Sequence, residues 1–442
     1  MTEEIVPRSD SDKESILDRE TLEACIHCGL CLPACPTYLA TGREVESPRG
    51  RIYLIDQFVS GALPMSDRMA SHIESCLGCL GCQTACPSGV NYEKILDSVR
   101  PKLAERKPVR ARFFSKLAFR FLLPNYFLLK LIGHLMGLWQ LLMGRDFFQK
   151  VVRHTAPYST PSPVRSFLER LAQWEQFTPQ VRGHIPLPER LDPRDNTEAG
   201  LHALLFSGCI MDVFYNHVNH NTMRILLKQG HSVSVPPQTC CGALAYHQGE
   251  EEIARDLARK NIEKFGFGQD PIVVNSAGCG AMLKHYKSIF EDDPQMKHKA
   301  EEFSERVFDL SEFLARFKFP MTGENFQEPT TYHAACHLAH AQNIHKEPLE
   351  LLEALAGNDK NCMLTPLPDQ EHCCGSAGIY NLFNTELALK VLDNKLDCLE
   401  STGARTVITS NPGCQLQLEA GIRKRGLKVD VKHIAEALDE AY

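Results

Sequence analysis

The feature that most constrains this chain is a cysteine motif that occurs twice near its amino terminus. Residues 25–36 read CIHCGLCLPACP and residues 76–87 read CLGCLGCQTACP, so each places four cysteines and a proline at the spacing C-x2-C-x2-C-x3-C-P. With this spacing a tight loop wraps three thiolates around one face of a [4Fe-4S] cubane, and the fourth cysteine diverges. The repeated motif therefore predicts two iron–sulfur clusters.

Ferredoxins with two clusters use the fourth cysteine of each motif as a ligand of the other cluster. The same arrangement here gives two ligand sets, each with three thiols from one loop and one thiol from the other. The predicted sets are Cys25, Cys28, Cys31 and Cys86 for one cluster, and Cys76, Cys79, Cys82 and Cys35 for the other. Zinc also suits four thiolates. Zinc sites are typically paired C-x2-C knuckles, so the triple-plus-one spacing favours clusters.

Residues around the thiols have roles in the same prediction. Gly29 and Gly81 are expected to keep side chains away from the inorganic core. Apolar neighbours are expected to shield the clusters from water, and these are Ile26, Leu30, Leu77 and Leu80. Arg49 and Arg51 are predicted to form ordinary structural ion pairs. The alternative is that they balance the negative charge of the clusters.

The bulk composition limits the class of protein. At 442 residues the chain is long enough for about three domains, and its formal charge of -7 argues against nucleic acid as a partner. The amino-terminal MTEEIVPRSDSDKES is polar and lacks the apolar stretch of a signal peptide. We therefore expect a cytoplasmic protein whose 18 cysteines act as metal or redox ligands, the alternative being a disulfide framework.

A second, longer repeat occupies the carboxy-terminal half. The segments LLFSGC, CCGALAYH and VVNSAGCG return in the same order 127 to 135 residues later as YHAAC, CCGSAGIY and VITSNPGC. Such self-similarity indicates a duplicated structural unit. Each copy supplies four candidate ligands of a cluster or metal ion. They are Cys209, Cys240, Cys241 and Cys279 in the first copy, and Cys336, Cys373, Cys374 and Cys414 in the second.

Short β-rich runs alternate with helical stretches within each copy, which predicts an α/β unit with a largely parallel sheet. Ligands of open α/β sheets gather at the carboxyl ends of strands, so the thiols of one copy are expected to converge on one rim. The predicted fold class is multidomain α+β. It comprises a helical dicluster ferredoxin module at 1–100, a helical connector and proline-rich linker at 101–195, and two homologous α/β CCG domains at 196–322 and 323–442.

The most apolar part of the connector is LAFRFLLPNYFLLKLIGHLMGLWQLLMG, residues 117–144. A membrane span needs about 20 nearly uncharged residues, and this run is interrupted by Arg120, Pro124, Lys130 and His134. The sequence therefore predicts a buried linker helix or a subunit contact. A helix lying on the cytoplasmic face of an anionic membrane is the alternative, because basic residues precede the segment.

Four histidines near Cys336 raise a zinc interpretation for the second copy: His333, His337, His340 and His345. The chain has 18 histidines in all. Most histidines are surface or hydrogen-bonded core residues, so none of the four is predicted as a ligand.

The combination of these features is specific. The two ferredoxin motifs, the segment PTYLATGREVESPRGRIYLI that follows the first, and the duplicated CCG units together resemble the iron–sulfur subunit of bacterial glycolate oxidase. This family is related to electron-transfer subunits of other 2-hydroxy-acid and glycerol-3-phosphate dehydrogenases, and to heterodisulfide reductase. The resemblance covers nearly the whole chain and is weakest over residues 105–195.

The resemblance implies an electron-transfer subunit of a membrane-associated glycolate oxidase or dehydrogenase. Glycolate would be oxidised on flavin-containing partner subunits, with no catalytic residue on this chain. Electrons would pass through the two clusters to a quinone or similar acceptor. The sequence contains no G-x-G-x-x-G or P-loop motif, which is consistent with a flavin on another polypeptide. The alternative is a subunit of a lactate, glycerol-3-phosphate or heterodisulfide-reductase-like complex with catalysis at a CCG cluster.

One departure from the related proteins concerns the end of the CCG motif. In heterodisulfide reductase the CCG domain holds a non-cubane cluster and closes with C-x-x-C, whereas Met282 and Gln417 stand at the corresponding positions here. This difference argues against disulfide cleavage by this chain. A further cluster, a metal ion or reduced thiols remain open for the CCG cysteines, and a zinc-stabilised scaffold is the non-enzymatic alternative.

Overall fold

The computed structural model of the chain describes residues 19–155, 163–193, 200–317, 326–356 and 363–441. A helical amino-terminal module is followed by a helical connector and by two α/β units, each built on its own sheet. The predicted α+β multidomain fold class is thus confirmed. The predicted domain boundaries at 195/196 and 322/323 lie outside the described residues and stay predictions.

The amino-terminal module consists of short helices that separate the two cysteine loops. Serine or asparagine side chains begin three of these helices, since Ser47, Ser66 and Asn91 each accept a hydrogen bond from the first turn. The helices are α1 (Arg19–Glu23), α2 (Pro36–Thr41), α3 (Pro48–Val59), α4 (Asp67–Glu74), α5 (Gly81–Thr84) and α6 (Tyr92–Arg106). Their apolar faces meet around the fully buried Ile55 and Ile95.

The connector is a series of helices that pack on the outside of the molecule. Its elements are α7 (Val109–Leu117), a π-helical turn (Ala118–Leu122), α8 (Tyr126–Met143), α9 (Phe147–Thr155) and α10 (Pro163–Glu175). Only 11% of the 18 residues of α8 are buried. Of the two predicted roles, a buried linker helix is wrong for α8, because most of its apolar side chains point outward, and a subunit contact stays a prediction.

Within the described residues, α8 alone is both long and apolar enough to cross a membrane. Its 18 residues have a mean hydropathy of 1.3. Length and composition of a single helix are weak grounds for a span, and the basic side chain of Lys130 lies within this one.

The first α/β unit contains a five-stranded sheet in the order β1-β3-β2-β4-β5, parallel except for the pair of β1 with β3. The strands are β1 (Arg190–Leu191), β2 (His202–Phe206), β3 (Ser232–Ser234), β4 (Ile272–Val274) and β5 (Val307–Asp309). The helices are α11 (Cys209–Phe214), α12 (Asn216–Lys228), α13 (Ala243–His247), α14 (Glu251–Phe265), α15 (Ala277–Ile289), α16 (Lys297–Glu305) and α17 (Leu310–Arg316).

The second α/β unit repeats the same core as a parallel four-stranded sheet in the order β7-β6-β8-β9. Its strands are β6 (Thr330–His333), β7 (Leu364–Thr365), β8 (Thr406–Thr409) and β9 (Asp430–His433). Its helices are α18 (Glu347–Ala356), α19 (Tyr380–Phe383), α20 (Thr385–Thr402), α21 (Pro412–Arg425) and α22 (Ile434–Ala441), with a π-helical turn at His337–Ala341.

The two units pack through the loops that follow β4 and β8. The backbone amide of Ala277 donates to the carbonyl of Ser410 at 3.1 Å, and the amide of Gly278 donates to Oδ1 of Asn411 at 3.2 Å. Equivalent segments of the duplicated unit therefore contact each other directly. This contact brings the carboxyl ends of the two sheets, and the cysteines that follow them, toward one another.

Candidate metal centres

The eight cysteines of the amino-terminal motifs line two cavities, and each cavity combines both loops. The outer cavity is lined by Cys25, Cys28, Cys31 and Cys86, with Cys82 on its wall. The inner cavity is lined by Cys35, Cys76, Cys79 and Cys82. The fourth cysteine of each motif thus lies with the three thiols of the other motif, which is the crossed grouping expected of two clusters. That these thiols bind clusters stays a prediction.

Two left-handed residues shape each cysteine loop. In the first loop His27 and Gly29 have φ of 55° and 87°, and in the second loop Gly78 and Leu80 have φ of 62° and 62°. The two positions are the same in both motifs, but glycine occupies a different one in each. Gly81 has no positive φ, and its predicted role beside the inorganic core stays a prediction. A Cβ on Gly81 would still lie only 3.2 Å from the carbonyl oxygen of Ala34.

A buried arginine network joins the helices around the inner cavity. The guanidinium of Arg51 donates to Glu46 at 3.1 Å, to the hydroxyl of Ser75 at 2.8 Å and to the carbonyl of His72 at 2.8 Å. Arg51 is 1% exposed and lines the inner cavity. It therefore combines the two roles left open by the sequence, since it forms an ion pair and places positive charge beside the thiols.

Arg49 has a simpler role at the outer loop. Its side chain pairs with the exposed carboxylate of Glu44 at 2.5 Å and donates to the carbonyl of His27 at 3.0 Å. The structural ion pair predicted for Arg49 is present, and its second bond fixes the left-handed turn at His27.

The two cavities differ in their access to solvent. Cys28 is exposed in the outer cavity, and its apolar neighbours Ile26 and Leu30 are 68% and 58% exposed. Leu77 and Leu80 beside the inner cavity are 6% and 4% exposed. The predicted apolar shield is therefore present at the inner cavity, whereas its outer counterpart faces solvent.

The chemistry of the inner thiols fits a positively charged inorganic group. Burial raises the pKa of Cys79 and Cys82 well above the usual thiol value, and neighbouring thiols add to this shift. Without a cation these thiols stay protonated at neutral pH. A metal or iron–sulfur cluster binds thiolates and displaces their protons. Four convergent thiols per cavity supply the donor set that a [4Fe-4S] cluster uses.

The four CCG cysteines of the first unit form one chain of sulfur contacts. Sγ of Cys209 lies 3.6 Å from Sγ of Cys240. Hydrogen bonds from Cys209 and Cys241 hold the pKa of Cys240 well below its usual range, and Cys241 also contacts Cys279. The four thiols converge on the rim formed by the carboxyl ends of β2, β3 and β4. The four thiols are thus brought together as the duplicated motif predicts, and that they bind a cluster or metal ion stays a prediction.

The second unit repeats this chain in the same order. Cys336 contacts Cys373, Cys373 contacts Cys374, and Cys374 contacts Cys414. The four residues are 7%, 3%, 1% and 3% exposed. The contact with the preceding thiol lowers the pKa of Cys373 and Cys374, but the contact with the next thiol and burial outweigh it, so the pKa of Cys336, Cys373 and Cys374 lies well above the usual thiol value.

The two CCG quartets have different neighbours. In the second unit Cys336 and Cys373 belong to an apolar cluster against which Cys79 of the inner cavity packs. The quartet of the first unit instead lies with Phe119 and Leu129 of the connector. Only the second quartet is therefore seen in contact with the cysteine cavities among the described residues.

The histidines near Cys336 do not form one group. Nδ1 of His337 lies 3.6 Å from Sγ of Cys336, whereas His340 contacts Thr84 and His345 pairs with Glu371 at 2.8 Å. His333 instead lies with Cys374 and Cys414. The sequence did not predict this grouping.

The positions of the missing C-x-x-C cysteines are buried. Met282 is 4% exposed, and Gln417 is 0% exposed and accepts a hydrogen bond from Asn381 at 2.9 Å. An amide and a thioether therefore stand where a fifth thiol would otherwise approach each quartet. All cysteines within the described residues are free thiols.

Comparison with known proteins identifies the domains. The chain matches the family described as a 4Fe-4S dicluster domain over residues 21–90. It matches the family described as a cysteine-rich domain, CCG, over residues 203–284 and again over 330–419. The amino-terminal module and the duplicated unit are therefore iron–sulfur and CCG domains.

Full-length relatives cover almost the entire chain. The chain is 33% identical to the probable glycolate oxidase iron-sulfur subunit of Bacillus subtilis (strain 168), covering 100% of this chain and 98% of that protein. It is 32% identical to the glycolate oxidase iron-sulfur subunit of Escherichia coli (strain K12), covering 95% and 94%. Lactate utilization protein A of Shouchella clausii is 33% identical over 53% of this chain.

The glycine of the second CCG motif is required by its conformation. Gly375 has φ of 91°, and a Cβ there would lie 2.5 Å from the carbonyl oxygen of Ala388. We expect Gly375→Ala to lower the melting temperature and the metal content. Gly403→Ala is the matched control, because Gly403 has φ of 66° and no described atom within 4 Å. The control carries only the left-handed penalty of about 1–2 kcal/mol. Equal melting temperatures of the two variants would contradict the steric argument.

The crossed grouping of the thiols is tested by pairing serine variants. We expect Cys35→Ser and Cys79→Ser to remove the same cluster signal from the electron paramagnetic resonance spectrum, because both thiols line the inner cavity. Cys86→Ser and Cys31→Ser should remove the other signal. Each variant should lose about half of roughly eight iron atoms. A Cys35→Ser spectrum that matches Cys31→Ser would mean that each loop holds its own cluster.

Proposed function

Because the chain belongs to the family of glycolate oxidase iron–sulfur subunits, we propose that it is the electron-transfer subunit of a multi-subunit 2-hydroxy-acid dehydrogenase. The substrate is glycolate, oxidised on a flavin-containing partner subunit. Clusters bound in the outer and inner cavities supply one-electron transfer. The observation that carries the proposal is the graded burial of the two cysteine cavities, one at the surface and one inside the chain.

The outer cavity is the entry point for electrons from the partner. Electron transfer between proteins requires the donor to approach the acceptor closely, and Cys28 offers such an approach because it is exposed. Ile26 and Leu30, the exposed apolar neighbours of Cys28, form a small apolar patch. An apolar centre with a polar rim is typical of a protein interface. The flavoprotein partner therefore docks over the patch of Ile26 and Leu30.

Onward transfer is directed by the shared wall of the two cavities. Cys82 lines both of them, so the two groups are held side by side. On its far side the inner cavity meets the second CCG unit through Cys79. The hydroxyl of Tyr380 secures this contact by donating to the carbonyl of Ser75 at 2.8 Å. Electrons therefore leave the inner cavity on the side of the CCG units, which contact each other through the loops after β4 and β8.

Buried thiols favour electron transfer over catalysis in the second unit. A disulfide substrate has to reach a sulfur atom or a metal, and the four thiols of this unit are at most 7% exposed. The catalytic alternative, a heterodisulfide-reductase-like reaction at a CCG cluster, lacks such access in this structure. Lactate is the second substrate to test, because lactate utilization protein A is among the relatives.

The acceptor is a quinone that binds between the connector and the first unit. A cavity of about 680 Å³ lies there, which is within the size range of small-molecule sites. Phe121, Pro124 and Leu187 give it an apolar wall. Lys130 and Asp212, which pair at 3.1 Å, are polar groups at the same cavity and can hydrogen-bond a quinone oxygen or exchange a proton with it.

The outward face of α8 holds the subunit on the cytoplasmic side of the membrane. Leu135, Leu138 and Leu142 are 58%, 53% and 70% exposed. Basic residues such as Arg110 and Arg120 are exposed on the preceding helical segments. Exposed leucines combined with cationic neighbours favour binding at the interface of an anionic membrane. The quinone cavity begins at the same helix, so a lipid-soluble quinone reaches it from the bilayer.

The electron route is tested in the complex purified with its flavoprotein partners. We expect Ile26→Glu to slow glycolate-dependent reduction of a soluble quinone analogue by at least ~10-fold, because one buried apolar side chain contributes about 1.5–3 kcal/mol to an interface. The iron content and cluster spectra should be unchanged. Phe267→Glu is the control, since Phe267 is 65% exposed and lies between α14 and β4 of the first unit.

Three results would overturn the proposed function. The first is oxidation of glycolate by this chain without its partners. The second is an amino-terminal module with fewer than about eight iron atoms after anaerobic purification. The third is faster turnover with lactate than with glycolate in the intact complex, which would change the substrate.

Membrane attachment is tested by cosedimentation with vesicles of phosphatidylcholine and phosphatidylglycerol. We expect the double variant Leu135→Glu, Leu142→Glu to weaken binding at least ~10-fold, because two apolar side chains are lost from the interface and two negative charges are added. Phe267→Glu should bind as the unchanged protein does. Binding that survives the double variant, or that is the same on vesicles without the anionic lipid, would contradict this mode of attachment.

A further inference from the structure

His333 is a fully buried histidine whose ring interacts with the backbone of Gln370 but forms no well-aligned hydrogen bond. It is the last residue of β6 and is 0% exposed. Among the described residues, no contact at either ring nitrogen has hydrogen-bond geometry. Burying a polar group without a hydrogen bond costs roughly 1–3 kcal/mol. The position is therefore unfavourable unless a group absent from the polypeptide binds the imidazole.

The imidazole lies beside the thiols of the second CCG unit. One ring nitrogen of His333 and the sulfurs of Cys374 and Cys414 all lie within 4.8 Å of one another. Two sulfurs on opposite sides of a single zinc ion are at most about 4.6 Å apart, since each bond is about 2.3 Å. The three atoms are thus close to the spacing that one metal atom requires, with little rearrangement.

One further thiol adjoins this group of three. Cys373 contacts Cys374 and receives a hydrogen bond from the backbone amide of Gly375, with 3.4 Å between nitrogen and sulfur. The side-chain amide of Asn411 donates to Sγ of Cys414 at 3.5 Å. Hydrogen bonds donated to sulfur stabilise the thiolate form that metals bind. Cys373 lies outside the group of three but contacts Cys374 in the same loop, so it is the fourth candidate ligand after a local rearrangement.

A buried lysine supplies the matching charge. Lys395 is 3% exposed and has no ion pair within the described part of the chain. Its ammonium donates to the carbonyl of Asp369 and interacts electrostatically with Cys398, Cys374, the carboxylate of Asp369 and Cys373. A buried cation is costly unless an anion compensates it. Three thiolates around a dication carry a net charge of -1, which would compensate this lysine.

The first unit lacks both of these residues. Phe206 ends β2 as His333 ends β6, and it packs against Phe265 with 5.8 Å between ring centroids. Asn261 stands in place of Lys395, and it hydrogen-bonds the carbonyl of Cys240 at 3.1 Å. The two quartets have the same four thiols, but the imidazole and the buried cation are present only in the second.

We propose that the second CCG unit carries a thiolate–imidazole metal centre, with His333, Cys373, Cys374 and Cys414 as ligands, and that the first unit does not. Thiolate and imidazole together suit zinc(II) and iron. The centre goes beyond the proposed function and does not rest on it. Cys336, the remaining thiol of the quartet, contacts the inner cavity through the cluster that contains Cys79.

The test counts metals in the full chain purified anaerobically. We expect His333→Ala to lose one metal site relative to the unchanged protein, while the cluster signals of the amino-terminal module persist. His333→Cys should keep that metal, because the cysteine side chain is nearly as small as that of alanine but restores a ligand. Loss of zinc in His333→Ala would identify a zinc site, and loss of iron above about eight atoms would identify an iron site.

A second comparison separates ligation from packing. His333→Phe introduces the residue of the first unit and fills the space, yet it should lose the metal as His333→Ala does. His433→Asp is the control at another buried histidine, because Asp309 occupies the equivalent position before the last helix of the first unit. It should keep the metal.

The proposal is overturned if His333→Ala and His333→Cys contain the same amount of metal. It is also overturned if the unchanged protein holds no metal beyond the amino-terminal clusters. Retention of all metal in His333→Phe would show that the ring fills space and is not a ligand.

Discussion

The arrangement of the amino-terminal module depends on one buried cation. The guanidinium of Arg51 bonds Glu46, Ser75 and the backbone of His72, so it ties the segment after the first cysteine loop to the helix before the second loop. Breaking a buried ion pair of this kind typically costs about 3–5 kcal/mol. Because the two loops are held together, the fourth cysteine of each can reach the three thiols of the other. The crossed grouping of thiols in the two cavities depends on this attachment.

Duplication explains the similarity of the two CCG units, and packing explains their divergence. Both sheets place four thiols at the carboxyl ends of their strands, where open α/β folds bring side chains together. The second quartet contacts the inner cavity, whereas the first contacts the connector. Substitutions follow the same division, because His333 and Lys395 surround the second quartet while Phe206 and Asn261 surround the first. One ancestral scaffold therefore gives two chemically different sites.

The spacing of cysteines allowed much of this arrangement to be predicted from the sequence. Motif spacing gave the grouping of the eight thiols, and the repeat gave the two α/β units. The exposure of α8 could not be predicted, because an apolar run has the same composition whether it faces a core or the outside. The sequence pointed to His333 only as one of four histidines and did not predict it as a ligand, although the two copies differ there, His against Phe206, and that difference was the available signal. Its missing hydrogen bonds could be found only from the structure.

Closure of the second unit over the inner cavity has a consequence for how the protein matures. Tyr380 bonds the carbonyl of Ser75, and His340 lies 3.1 Å from Thr84, so side chains distant in sequence cover the inner thiols. Iron and sulfide delivered to a finished molecule would meet this covered surface. A cofactor at the inner position would therefore have to be inserted before the carboxy-terminal unit docks, whereas one at the outer position would stay accessible to replacement.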